Sequence, residues 1–165
     1  MLPLSILFVL GALIPSIYSF LHEIGHIPDF KHFALSNGRE VYVVLSDRTH
    51  EEAIKYCKQL PGGDLATVRD QVEASEIGEQ IRRIYGFTRW FGVLTYWTGG
   101  KWNNATKMWE WPDGTSANVI DATGAYSRCD NERLVLKVTS NEGHLAGNCY
   151  DRAMFFLCST GGKLH

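Results

Sequence analysis

The segment WEWPDGT, residues 109–115, places two tryptophans on either side of a glutamate and follows them with Pro-Asp-Gly. Large aromatic residues at alternate positions are typical of a β-strand with one buried face, which predicts that Trp109 and Trp111 lie in the core. Pro112-Asp113-Gly114 is a turn sequence, because proline presets φ and glycine accepts positive φ. The segment therefore predicts a strand from Met108 to Trp111 that ends in a tight turn.

Working outward toward the N-terminus, the sequence predicts a strand and then a helix. Residues 40–45, EVYVVL, are rich in β-branched and aromatic side chains, which indicates a strand. Thr49 and Glu52 have the spacing of a capping box, and apolar residues recur at helical intervals as far as Leu60. Pro61-Gly62-Gly63 then predicts the end of this first helix.

A second helix is predicted to begin at Asp70 and to stop at Gly86. Its expected apolar stripe comprises Val72, Ile77, Ile81 and Ile84. Beyond this helix the sequence predicts strands 90–97, 108–111, 134–138 and 154–158, with turns at 99–100, 112–114 and 140–143. Two early helices followed by a run of strands indicate an α+β fold, in which two helices pack on antiparallel strands.

Composition places the chain among ordinary globular proteins. It has 165 residues, 45% of them hydrophobic and 21% charged, which predicts one domain with a packed core. The formal net charge is −2 and the pI is about 6.3. This balance provides no broad basic surface, so we expect no nucleic acid, anionic membrane or heparin partner.

The first 19 residues have the pattern of a signal peptide. They contain no charged side chain, and the run from Leu4 to Leu13 is apolar and is followed by Pro15. Cleavage after Ser19 would leave a short N-terminal extension, residues 20–32, and no membrane span, because the apolar run is shorter than the roughly 20 residues that such a helix needs. We therefore predict a secreted, extracellular protein. An uncleaved anchor is the alternative, since no Lys or Arg precedes the apolar run.

The four cysteines are Cys57, Cys129, Cys149 and Cys158. An even count in a secreted chain predicts two disulfides, and the absence of any C-x-x-C pair argues against a zinc cluster. Counting alone leaves three pairings open.

The extension contains HEIGH between His22 and His26, with His32 at the spacing of a third zinc ligand. On a helix, this pattern directs two imidazoles at one zinc ion, and its glutamate polarises the metal-bound water of a peptidase. Here Asp29 stands where the turn needs glycine, Pro28 blocks continuation of the helix, and too little chain precedes the motif to form the usual sheet. We interpret the segment as a solvated extension. A zinc-binding tail and a zinc metallopeptidase are the alternatives.

From Phe33 to Cys158, the sequence resembles the C-type lectin-like domain family. The resemblance rests on seven features in the family's order: strand 40–45, helix 49–60 with Cys57, GDLATV at 63–68, the second helix, WFGVL at 90–94, WEWPDGT at 109–115, and the closing Cys129, Cys149 and FFLC at 155–158. The resemblance implies a C-type lectin-like domain over residues 33–160, followed by a short tail, residues 161–165. It also implies that Cys57 pairs with Cys158 and that Cys129 pairs with Cys149.

In this family, sugar binding depends on calcium ligands from an E-P-N or Q-P-D stretch in a long loop and from a W-N-D stretch before the third cysteine. Residues 115–128 contain neither loop motif and form a shortened loop. The W-N-D position is occupied by His144, Leu145 and Ala146, of which the last two have no side-chain oxygen. Because calcium needs six to eight oxygen ligands, we expect no calcium at this position and no other cofactor.

These features predict a secreted C-type lectin-like binding protein that is not an enzyme. We expect it to recognise a protein or glycan ligand without calcium, through a surface formed by residues 112–128 and 139–148. The candidate ligand contacts are Asn118, Asp121, Asp130, Asn131, Asn141 and Glu142. The alternative is a calcium-dependent carbohydrate-binding lectin with an atypical site, for which the candidate ligands are Asp121, Asp130, Asn131 and Glu132. The oligomeric state stays open.

Asn104-Ala105-Thr106 is an N-glycosylation sequon. It lies between two predicted strands, so we expect it in an exposed turn of a glycoprotein.

Overall fold

Eight strands and two helices make up the part of the chain that the structure, a computed structural model, describes: residues 30–85, 92–117 and 132–160. The strands are β1 (Phe30–Ala34), β2 (Glu40–Arg48), β3 (Gly63–Leu65), β4 (Leu94–Asn103), β5 (Met108–Glu110), β6 (Arg133–Val138), β7 (Gly143–Asn148) and β8 (Met154–Thr160). The helices are α1 (His50–Cys57) and α2 (Gln71–Tyr85). The predicted signal peptide, residues 20–29 of the extension and the tail 161–165 lie outside the described residues.

The strands form one sheet in the order β1-β2-β8-β4-β6-β7, with β3 also paired to β8 and β5 to β4. Every pairing is antiparallel except that of β4 with β8. Neither helix in the described ranges combines the length and hydropathy of a membrane-spanning segment.

The two faces of the sheet each carry a hydrophobic cluster. On one face, the α2-side cluster contains Ala74, Ile77 and Ile81 of α2 packed with Leu134, Leu136 and Val138 of β6. On the other face, the α1-side cluster contains Ala53 and Cys57 of α1 together with Val135, Trp97 and Phe156. Successive side chains of a strand point to opposite faces, so β6 contributes to both clusters. Trp109 and Trp111 are buried in the α2-side cluster, as predicted.

Helix α1 begins as the sequence predicts. The Thr49 side chain accepts from the Glu52 backbone N–H, and the Glu52 carboxylate accepts from the Thr49 backbone N–H, which completes the capping box. The helix ends at Cys57, whose disulfide to Cys158 joins α1 to β8 across 101 residues of sequence. The other implied pairing involves Cys129, which lies outside the described residues, so that pairing stays a prediction.

Helix α2 is capped by Asp70, whose carboxylate accepts a 2.8 Å hydrogen bond from the Glu73 backbone N–H. The predicted stripe was wrong at Val72, which is 77% exposed. The helix instead buries Glu73 together with Ala74, Ile77, Gly78 and Ile81. The Glu73 carboxylate forms a buried salt bridge with Arg39 at 3.1 Å, which compensates its charge and ties α2 to the start of β2. The predicted helix end, Gly86, lies outside the described residues.

The predicted turn at Gly99-Gly100 is wrong, because both glycines lie inside β4. A Cβ on Gly99 would lie 2.6 Å from Cγ of Pro112, and a Cβ on Gly100 would overlap the Leu134 side chain. These glycines therefore allow close packing within the sheet rather than a reversal of the chain. Strand β4 begins at Leu94, so the predicted strand 90–97 is wrong at Gly92 and Val93, whereas Trp90 and Phe91 lie outside the described residues.

Strands β1, β3 and β7 were not predicted. Phe30 to His32, which we assigned to the extension, belong to β1, where His32 pairs with Tyr42 and Phe33 with Val41. Strand β7, GHLAGN, pairs along its whole length with β6. Its glycines and asparagine have little β-propensity, so its extended conformation depends on β6 and on packing beneath α2. The described sheet thus begins at Phe30.

Candidate ligand-binding surface

A row of polar side chains crosses five neighbouring segments at one end of the sheet. In register order the row comprises Ser116, Glu110, Lys101, Arg133 and Asn148, and we call it the polar row. Its side chains are all partly or fully exposed. Their sequence neighbours, including Trp102, Trp109 and Leu134, point into the α2-side cluster, so the row faces the α1 side. With about 4.8 Å between strands, the row spans roughly 19 Å.

The two cations of the polar row are direct cross-strand partners. Lys101 on β4 pairs with Arg133 on β6. Within the described ranges neither side chain makes a salt bridge. The Glu110 carboxylate, on the other side of Lys101, instead accepts hydrogen bonds from Asn103 Nδ2 at 2.7 Å and from the Thr106 hydroxyl at 3.1 Å. The row therefore presents two adjacent positive charges that form no salt bridge with any described residue.

An exposed aromatic ring lies beside the Asn148 end of the polar row. Tyr150 is 74% exposed. The Asn148 amide Nδ2 donates to the Tyr150 carbonyl oxygen at 3.0 Å, and its Oδ1 accepts from the Tyr150 N–H at 3.5 Å. These two contacts fix the backbone of Tyr150 next to the row, so the ring is available to an external partner.

His50 is buried next to the polar row, at the N-terminus of α1. Its Nε2 lies 3.1 Å from the Thr98 carbonyl oxygen, and its ring meets Trp97 edge-on at a centroid distance of 5.2 Å. Burial lowers the pKa of His50, the hydrogen bond to Thr98 opposes that shift, and the positive charge of Arg133 adds to it. Because a carbonyl only accepts, Nε2 is assigned the proton of a neutral imidazole.

The structure separates the two parts of the surface expected from the sequence. Asn141 and Glu142 lie in the β6–β7 turn, next to the Val138–Gly143 pair. The polar row crosses the same hairpin at its other end, at the Arg133–Asn148 pair. Five residue steps along a strand separate the two ends, which is about 17 Å. Residues 112–117 follow β5 and adjoin the row, whereas residues 139–142 do not.

The remaining candidate contacts, Asn118, Asp121, Asp130 and Asn131, lie outside the described residues. Glu132, which we considered for an atypical cation site, is described and buried. Its carboxylate lies so close to Gly147 that a Cβ there would overlap it. Glu132 therefore lies within the protein at the base of β6, not on the surface.

The position that would carry family calcium ligands does not fit the ion. Leu145 is 7% exposed and packs in the α2-side cluster, whereas Ala146 packs against the α1-side cluster. His144 Nδ1 lies 3.6 Å from Glu142 Oε1. In the described part of the chain, no group of three His, Cys, Asp or Glu residues could hold a metal. Calcium requires several oxygen ligands, and none of the three side chains at this position, His144, Leu145 and Ala146, has an oxygen atom.

Of the three candidate zinc ligands, only His32 lies in the described part of the chain. His32 lies on β1, where its ring stacks on Tyr42 at a centroid distance of 5.6 Å. His22 and His26 lie outside the described residues.

The sequon residue Asn104 is exposed in the turn between β4 and β5, as predicted. That turn also supplies the Thr106 hydroxyl that binds Glu110.

Comparison with known proteins finds similarity in structure alone. No protein-family model matches the sequence, and no curated protein matches it. The structure of CEL-IV is 17% identical with a TM-score of 0.64 and covers 81% of this chain and 92% of that chain. The C-type lectin CEL-I from Cucumaria echinata is 15% identical with a TM-score of 0.60 and covers 80% of this chain and 94% of that one. This chain has the C-type lectin-like fold.

A third structure with this C-type lectin-like fold is EMS16, described as an antagonist of the collagen receptor integrin alpha2beta1. It is 18% identical with a TM-score of 0.53, covering 78% of this chain and 95% of that chain. The predicted α+β class, the two helices and the C-type lectin-like resemblance are thereby confirmed. The polar row could not be found from the sequence, because its five members lie on five segments that only strand pairing brings together.

Proposed function

We propose that this C-type lectin-like domain acts by binding a glycan or protein ligand without calcium, through the polar row, Tyr150 and the turn 112–117. One observation carries the proposal. The position at which the family coordinates calcium and sugar hydroxyls holds Leu145 and Ala146, whose side chains pack in the two hydrophobic clusters. Recognition in this chain must therefore use other side chains.

The polar row supports this role because it combines several ligand chemistries on rigid strands. Lys101 and Arg133 supply positive charge, Ser116 and Asn148 supply neutral hydrogen-bonding groups, and Tyr150 supplies an exposed ring. Since CEL-I is a lectin and EMS16 antagonises an integrin, the fold is compatible with either ligand class.

Binding rather than catalysis also agrees with the state of His50. Its imidazole is buried and its Nε2 is engaged by the Thr98 carbonyl, so it is not free to act as a general base for an external substrate. We further propose that the protein is secreted and that its domain extends from Phe30, the first residue of β1, to Thr160. The Cys57–Cys158 disulfide is typical of an oxidising compartment.

A direct test is a screen of glycan and extracellular-protein arrays with the full chain, in chelator and again in millimolar calcium. We expect at least one ligand to bind equally in both conditions. Tyr150→Ser should abolish that binding, whereas Val72→Ser, at a comparably exposed site on α2 remote from the polar row, should leave it unchanged. Binding that disappears in chelator and returns with calcium would support the alternative, an atypical calcium-dependent lectin. No binding in either array would contradict the proposal.

A further inference from the structure

We propose that Lys101 and Arg133 bind one anionic group, a carboxylate or a sulfate ester, on an otherwise neutral glycan. The inference rests on the proposed function and specifies the ligand class of the same surface. It starts from the register of the sheet, which places the two cations directly opposite each other on β4 and β6. Neither has a salt-bridge partner within the described ranges.

The Lys101–Arg133 pair itself does not help the sheet to form, although Lys101 is also directly opposite Glu110 on its other side. Directly opposed residues on neighbouring antiparallel strands have Cβ atoms about 5 Å apart, and like charges at that distance are destabilising. An anion between the two side chains would remove the repulsion and accept hydrogen bonds from both. The planar guanidinium of Arg133 can bind a carboxylate or sulfate with two parallel N–H bonds, and the Lys101 ammonium adds a point charge.

The surroundings favour a single anionic group over a polyanion. Glu110 follows Lys101 directly in the polar row. The cation pair thus adjoins a carboxylate, in a chain with a formal net charge of −2. An extended polyanion would place further negative charges against Glu110.

A glycan fits this surface better than an acidic peptide. At the level of the cation pair, β4 is paired with both β5 and β6, and β6 is paired with both β4 and β7. Within the described residues, neither of the two strands that carry the cations therefore has a free edge there for a peptide backbone to pair with, and the edge strand is β7. The exposed Tyr150 ring, next to Asn148, instead offers a flat apolar surface to a sugar ring. Asn148 is the cross-strand partner of Arg133, so an acidic substituent on that sugar would reach the cation pair.

The test is calorimetric titration of the full chain with lactose, sialyllactose and sulfated lactose, in chelator. We expect the acidic sugars to bind at least about tenfold more tightly than lactose, since hydrogen bonds to charged groups are each worth roughly 1.5 kcal/mol or more. The stronger of the two acidic probes distinguishes a carboxylate from a sulfate. Lys101→Gln and Arg133→Gln should each remove most of the difference from lactose.

Lys137→Gln is the matched control, because Lys137 lies on β6 with the same orientation, about 13 Å along the strand from Arg133. It should leave all three affinities unchanged. Arg133 is half-buried; should its Gln variant unfold, Lys101→Gln at the exposed position decides the result.

Several results would overturn the inference while leaving the proposed function in place. They are equal binding of lactose and the acidic sugars, unchanged affinity in a folded Lys101→Gln variant, or no binding of any of the three sugars when the arrays yield another ligand. A Lys101-dependent interaction with an acidic peptide alone would also overturn it. Failure of the arrays themselves would contradict the proposed function as well.

Discussion

His50, Arg39 and Glu73 are buried, and each has a specific polar partner. His50 contacts the Thr98 carbonyl, and Thr98 in turn donates its hydroxyl to the Leu134 carbonyl at 2.8 Å. Arg39 and Glu73 neutralise each other at 3.1 Å. Buried polar groups without such partners cost free energy, so these contacts specify which side chains can occupy the interior. Of the three, His50 is the group whose ordinary pKa lies near neutrality.

We expect the free energy of unfolding to decrease as the pH falls below about 7, because of His50. Its pKa is lowered in the folded protein, chiefly by burial, so the unfolded chain takes up a proton first. Each unit of lowering corresponds to about 1.4 kcal/mol that is lost between the unfolded and the folded pKa. Thermal unfolding between about pH 7.5 and pH 5.5 measures the loss.

His50→Gln is the informative variant for this prediction, since glutamine retains a donor for the Thr98 carbonyl but does not titrate. Its midpoint should depend less on pH over the same range than that of the unmodified protein. His144→Gln, at a partly exposed site, serves as the control. An identical pH dependence in the His50→Gln variant would show that other groups cause the loss.

At the scale of elements, the sequence alone predicted those helices, strands and turns whose stabilising residues lie close together in the chain. The capping box of Thr49 and Glu52 defined the start of α1, because both partners lie within one turn. The alternating apolar residues of β6 and the Pro112-Asp113-Gly114 turn were equally readable, and Gly114 has the positive φ, 81°, that this turn requires. Strand β7 carries no such signal.

The missed elements share a physical cause. GHLAGN becomes β7 because β6 supplies its hydrogen-bond partners and α2 covers it, and both lie elsewhere in the sequence. Gly99 and Gly100 look like a turn, yet Pro112 and Leu134 need the space that side chains would occupy. Val72 has the spacing of the helical stripe, but the face of α2 that packs against the sheet carries Ala74, Ile77 and Ile81, and Val72 lies outside it. Tertiary packing overrides local propensity in each case.

The contact between α2 and β7 provides a prediction at this scale. A Cβ on Gly143 would overlap the Ala74 carbonyl oxygen and lie 3.1 Å from the Gly78 Cα. Gly143→Ala should therefore push the helix from the sheet and lower the free energy of unfolding by about 1–3 kcal/mol, as overpacking does. Gly92→Ala is the control, because a Cβ at that position would meet no heavy atom within 4 Å beyond its chain neighbours. Equal urea midpoints for the two variants would mean that the contact is not tight.

At the scale of the whole molecule, β8 joins the two ends of the described chain. It pairs with β2, β3 and β4, and Cys158 on β8 is bonded to Cys57 at the end of α1. The resemblance to the family implied this bond, but residue counting could not select it among three pairings. The proposed ligand-binding surface was less accessible to prediction. Residues 112–117 of the surface expected from the sequence adjoin the polar row, and their role in binding stays a prediction; Lys101 and Arg133 become neighbours only in the folded sheet.

The Cys57–Cys158 bond predicts a large change in stability. It closes a loop of 101 residues, and in the chain-entropy model such a bond contributes about 4.7 kcal/mol. Replacing both cysteines with alanine should lower the free energy of unfolding by that order, measured by urea denaturation. The Cys129→Ala, Cys149→Ala double variant removes a shorter predicted loop and should cost less. A greater loss in this second variant would contradict the assigned roles.

Calcium titration, followed by calorimetry and by thermal unfolding of the full chain, tests the calcium-independent binding mode most directly. Because Leu145 and Ala146 contribute no oxygen where the family places calcium ligands, we predict no saturable heat and no change in the unfolding midpoint at millimolar calcium. A saturable heat together with a rise of several degrees in the midpoint would contradict the account.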